Sequence, residues 1–233
     1  MLLPEIAGGN MKVYSRILML VFLASIAHVT RAQQSPQDGS PSQNPAVSAL
    51  IKDSVTREDA GDLIGAIKIN QKILQLEPRN VAAMNTIAGL YGKLGKFGDE
   101  IFWAKKALAV NPGFPLAYIN YGNALGSLGK FNEAAEAFEK AAKLDPKDPH
   151  SVYSLGVLAE QQDKFGEALG YYQKAIQIDP KFENGYFNLG AAYANLRRFD
   201  EAIGALKKLL ELNPNADDAK AMLQDIEKAK RRQ

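Results

Sequence analysis

Apolar and polar positions in this chain alternate at helical spacing, in paired segments, and the pairs recur. Between Pro115 and Asp148 the sequence PLAYINYGNALGSLGKFNEAAEAFEKAAKLDPKD holds two amphipathic helical patterns around Gly129-Lys130. A shift of 34 residues brings the pattern back: Pro78, Pro112, Pro146, Pro180 and Pro214 are equally spaced, with Leu63, Phe97, Phe131, Phe165 and Phe199 fifteen residues ahead of each. A period of this length marks a solenoid of helical hairpins, in which each repeat buries its apolar face on its neighbours. The prediction is an all-α chain of about five hairpins, at 47–80, 81–114, 115–148, 149–182 and 183–216, followed by a capping helix and basic tail over 217–233.

The punctuation agrees with the pattern. Gly61, Gly95 and Gly129 stand where a helix C-terminus turns into the left-handed conformation. Asp163 and Arg197 hold that place in the last two hairpins, so those turns are expected to carry more strain. Each recurring proline stops a second helix, having no N–H to donate and a ring that clashes with the preceding turn. Asp148-Pro149 reads as an N-cap followed by proline at the first helical position. The ends depart from the repeat. Asp53 and Arg57 make the first helix partly polar, whereas Ala219, Met222, Leu223 and Ile226 form one apolar stripe suited to covering the last hairpin.

From about Val47 onward these residues make the chain resemble the tetratricopeptide-repeat (TPR) family. The resemblance implies a superhelical solenoid with small residues where paired helices approach closely. Ser54, Ala88, Gly122, Gly156 and Gly190 match its eighth position, and Ala134, Ala141, Ala168, Ala175 and Ala202, with Leu209, match its twentieth and twenty-seventh. Glu100 occupies a place where alanine is usual, and a locally loosened hairpin with Ala104 making room is the expectation there. The family's first helices line a concave groove. Carried across residue by residue, that implies a candidate peptide groove of Asn85, Ile119, Asn120, Asn123, Tyr153, Val157, Phe187 and Asn188. Such a strip is neutral. Its amides can donate to and accept from a peptide backbone, and its aromatics can anchor an apolar side chain. The lysine, asparagine and arginine cluster with which one TPR subclass clamps a terminal carboxylate is matched at Asn123 alone, which argues against that mode.

Composition narrows the function further. The chain has no cysteine, which excludes disulfides, thiolate metal sites and thiol nucleophiles. His28 and His150 are the two histidines, and no phosphate loop, nucleophile motif or metal-ligand spacing accompanies them. Residues 11–32 combine a basic start (Lys12, Arg16), an apolar run at Ile17–Ala27 and Thr30-Arg31-Ala32 before Gln33, the pattern of a cleaved secretory signal. The run falls short of the roughly 20 apolar residues of a spanning helix. Met11 fits such a signal better as a start than Met1 does. Residues 33–46, rich in Gln, Ser, Pro and Asn, read as a flexible linker. Loss of 1–32 removes Lys12, Arg16 and Arg31 against Glu5 and leaves 25 basic and 25 acidic residues. A neutral chain has no global field for polyanions, and basic residues of the KAKRR tail suit a helix C-terminus on dipole grounds alone.

The sequence therefore predicts an exported, non-enzymatic protein–protein interaction module of the periplasm or cell envelope, an adaptor or assembly factor. It needs no cofactor or metal, binds protein or peptide segments in the groove and does not bind nucleic acid. The alternative is a membrane-anchored scaffold whose segment 17–30 stays uncleaved. Self-association through end faces is a further mode open to such arrays.

Overall fold

The computed structural model describes residues 44–232, among which there are eleven α-helices and no strand. The signal segment, its cleavage point, the choice of start and residues 33–43 of the expected linker lie outside the described residues. The chain divides after Leu144 into two compact units. The first holds α1 (Pro45–Asp59), α2 (Leu63–Leu76), α3 (Val81–Lys93), α4 (Phe97–Val110), α5 (Pro115–Ser127) and α6 (Phe131–Leu144). The second holds α7 (Pro149–Glu160), α8 (Phe165–Ile178), α9 (Glu183–Asn195), α10 (Phe199–Leu212) and α11 (Asp217–Lys230). Within each unit every helix packs on the next in sequence, and α3 also packs on α5.

Helix boundaries follow the 34-residue register. The second helices end at Leu76, Val110, Leu144, Ile178 and Leu212, each two residues before its proline. The side chains of Asn44, Asp62, Asn80 and Asp148 accept from backbone N–H groups of the first turns of α1, α2, α3 and α7. Helix α1 opens at Pro45, inside the stretch 33–46 read above as linker, because Asn44 caps it and Val47 is fully buried. The turns between paired helices all use the left-handed region. Gly61, Gly95 and Gly129 have φ of 79°, 68° and 75°, and Asp163 and Arg197 adopt 58° and 59°. The last two turns thus keep their geometry with side chains for which it is strained.

Close approach inside each hairpin pairs the eighth residue of the first helix with the residue sixteen further on. A Cβ built at Gly122 would stand 2.6 Å from the Phe138 ring, at Gly156 2.5 Å from the Tyr172 ring, and at Gly190 2.9 Å from Leu206 Cγ. Each glycine is therefore the space its partner's large side chain fills. In the first hairpin the same pair is polar, Asn70 Nδ2 donating to Ser54 Oγ at 2.6 Å. In the second it is Ala88 with Ala104, both fully buried. Burial of Phe138, Leu206 and Tyr172 in these slots contributes about 1.5–3 kcal/mol for each large side chain. At the chain's end, Ala219, Met222 and Ile226 of α11 are buried and α11 packs on α10, as the apolar stripe predicts.

Candidate functional site

The first helices α3, α5, α7 and α9 carry the eight residues singled out from the sequence, and all eight are buried. In the first unit, Asn120 Nδ2 donates to the Asn85 carbonyl oxygen at 3.2 Å and to Asn85 Oδ1 at 2.8 Å. The two amides thus tie α5 to α3 across one repeat. Ile119 is buried beside them, and Asn123, one turn on, has no side-chain hydrogen bond among the described residues. In the same unit Lys93 and Glu58 form a largely buried ion pair between α3 and α1.

The second unit brings Tyr153 and Asn188 together. Asn188 Nδ2 donates to the Tyr153 hydroxyl oxygen at 2.9 Å, linking α9 to α7. The Tyr153 ring lies 5.7 Å from Tyr172 and meets Phe182 edge-on at 5.2 Å. The Tyr172 hydroxyl donates to Glu160 Oε2 at 2.6 Å. Burial pushes Glu160 up to about 7, and the hydrogen bond from Tyr172 pulls the other way. Burial first, then the nearby Glu160 carboxylate, holds Tyr172 well above the usual phenol range. At neutral pH this hydroxyl is a hydrogen-bond donor and not a nucleophile. Glu160 Oε1, Asn188 Oδ1 and Ser151 Oγ are buried with no hydrogen-bond partner among the described residues. Val157 and Phe187 lie buried on the same two helices, outside this polar network.

Two further sequence readings meet the structure here. Gly92 gives Glu100 room: a Cβ on Gly92 would lie within 2.8 Å of the Glu100 carboxyl atoms. The hairpin α3–α4 thus absorbs a carboxyl group by omitting a side chain opposite it. Glu100 is 1% exposed, its Oε1 has no partner, and burial alone pushes it up to about 9, so it is protonated at neutral pH. His150 turns inward to its own N-cap, with Nδ1 2.6 Å from Asp148 Oδ1 and its ring edge-on to Phe182 at 5.1 Å. Among the described residues no group of three His, Asp or Glu side chains is placed to hold a metal ion. No described helix is long and apolar enough to cross a membrane.

Sequence reasoning missed Glu160 and Tyr172 as the centre of a polar network. The available signal was that both sit inside otherwise apolar helical stripes, where an unpaired polar group is costly. The comparisons agree with the architecture. Residues 119–181 and 159–226 match two family models, each described as a tetratricopeptide repeat. No curated protein matches the sequence. Among solved structures, that of MamA is 27% identical with a TM-score of 0.56, covering 71% of this chain and 96% of that one. TTC0263, a thermophilic TPR protein of Thermus thermophilus, is 18% identical with a TM-score of 0.70, covering 77% and 98%. YrrB, described as a TPR protein with an unusual peptide-binding site, is 19% identical with a TM-score of 0.51, covering 74% and 89%. The last two likenesses are of fold. None of these matches indicates a catalytic family.

Proposed function

We propose that this tetratricopeptide-repeat protein is an exported, non-enzymatic adaptor or assembly factor that holds a peptide segment of a partner against its first helices. The observation that carries the reading is hydrogen-bonding capacity that hairpin packing leaves unused. Asn123 on α5 has an amide with no side-chain hydrogen bond among the described residues. A buried polar group without a partner costs about 1–3 kcal/mol, and a peptide backbone supplies the N–H and C=O groups that would relieve it. The surrounding strip is neutral, which suits a backbone and apolar side chains better than a charged terminus. YrrB, described as having an unusual peptide-binding site, gives peptide binding a precedent in this fold. Export to the periplasm or envelope rests on the pattern at 11–32; an intact mass of the exported protein that begins elsewhere than near Gln33 contradicts the cleavage point.

The test is affinity capture from an envelope extract with the full chain, beside an Asn123→Ala variant checked for an unchanged melting curve. Asn123 loses no described hydrogen bond on truncation, so the variant should fold as the parent does. A partner held by the parent and weakened by the variant is the expected result. Identical capture by both, or none by either, would contradict the reading.

A further inference from the structure

Among the described residues seven large apolar side chains are exposed, and five of them recur by register. Leu128 and Leu196 share one place at the end of a first helix, and Leu76, Leu144 and Leu212 share another at the end of a second. These belong to the repeat. Phe102, at 53% the most exposed of the seven, does not recur: its equivalents are Lys68, Glu136, Gly170 and Gly204. It lies on α4 beside Trp103, the only tryptophan of the chain, with ring centroids 5.7 Å apart and the planes at 88°. Trp103 is partly buried against the cluster of Ala66, Ile67, Ile87 and Leu90, so the pair has one ring anchored and one in solvent.

Cations complete the patch. Lys106 Nζ stands 4.7 Å from the Phe102 centroid and 4.6 Å from that of Trp103, and Lys105 Nζ stands 5.4 Å from the ring of Tyr121 on α5. Neither lysine has an ion-pair partner among the described residues. The sequence explains why: Ile101–Val110 contains no acidic residue. The equivalent Lys208 on α10, by contrast, pairs with Glu211 one turn on. An exposed aromatic beside Lys106, with Lys105 next along the same helix and no carboxylate paired to either, is complementary to carboxylates placed around an apolar side chain.

We propose that the α4 face of Phe102, Trp103, Lys105 and Lys106 is a second docking surface, and that its occupant is an acidic partner segment bearing at least one apolar residue. The apolar residue covers Phe102, and the carboxylates take the free donors of Lys105 and Lys106. An anionic membrane is the poorer match, since surface binding of that kind uses clusters of about four to eight basic residues. Nucleic acid is poorer still, because two cations release few counterions. None of these four residues belongs to the first-helix strip, so either assignment stands without the other.

The test pans a random peptide library against the full chain and measures the enriched peptides by Trp103 fluorescence. The expected pool is rich in Asp and Glu around Leu or Phe. Binding of a Trp-free peptide from it should weaken about tenfold in the Lys105→Glu/Lys106→Glu variant and similarly in Phe102→Ala. Salt should weaken it as well. Phe102, Lys105 and Lys106 are exposed, and circular dichroism checks that the variants fold. A pool with no acidic bias, no enrichment at all, or variants that bind like the parent would overturn the proposal. So would a Trp103 shift produced by phosphatidylserine vesicles and by no peptide.

Discussion

The hairpins α3–α4 and α7–α8 each bury a glutamate, and they accommodate it in opposite ways. Glu100 faces Gly92 and has nothing to bond to at Oε1, so the carboxyl stays protonated and is pushed up to about 9. Glu160 faces the Tyr172 hydroxyl, which partly offsets its desolvation and leaves it near 7. The same helical frame thus makes space for a polar group either by deleting a side chain or by supplying a donor. The second solution keeps the group responsive near neutrality. It also ties the group to Tyr153 and Asn188, on the first helices that the functional reading relies on.

The largest expected effect on this contrast is that of pH. Both carboxyls have folded-state values above the unfolded value of 4.5, so the folded protein holds protons that the unfolded chain has released. Their stabilisation is complete below about pH 4.5 and is lost as pH rises, through about 7 for Glu160 and about 9 for Glu100. The loss is of the order of 1.4 kcal/mol per pH unit for each group within its window. Denaturant titrations at pH 5 and pH 8 should show lower stability at pH 8, and a Glu100→Gln/Glu160→Gln variant should flatten the slope. A parent slope equal to the variant's would remove the contrast.

Next in size is Gly156→Val, which forces atoms into the Tyr172 ring. It should cost about 1–3 kcal/mol by overpacking, read as a lower melting temperature. Tyr172→Phe separates the two hairpins more sharply. It removes the donor to Glu160, should cost about 1–3 kcal/mol, and should move the Glu160 titration further up, with no effect on Glu100. The smallest effect is expected of Glu100→Leu at pH 4, where both carboxyls are protonated in the folded protein and ionisation adds little. Replacing an unpartnered buried carboxyl by an apolar side chain should raise stability by about 1 kcal/mol, whereas the same change at Glu160 should lower it by leaving the Tyr172 hydroxyl unpaired.

Much of the fold was legible because the period is local chemistry repeated. Pro78 to Pro214 fix the helix ends, and Gly61, Gly95 and Gly129 fix the turns, with Asp163 and Arg197 forced to follow at φ of 58° and 59°. Pairings between helices were not legible. Nothing in the string says that Gly92 faces Glu100, or that Asn70 bonds to Ser54, because both depend on which side chains meet across a hairpin. The same limit applies to the candidate strip. The family resemblance implies a groove role for Asn120, Tyr153 and Asn188, but burial and the bonds from Asn120 to Asn85 and from Asn188 to Tyr153 arise from packing between repeats.

The most direct test of the central claim is an amide hydrogen-exchange footprint of the full chain, with and without its captured partner. Added protection in the first helices of a unit, α3 and α5 or α7 and α9, is the result predicted for a segment held on the first helices. Protection confined to the second helices, α4 among them, would contradict that claim and leave the Phe102 surface as the docking site.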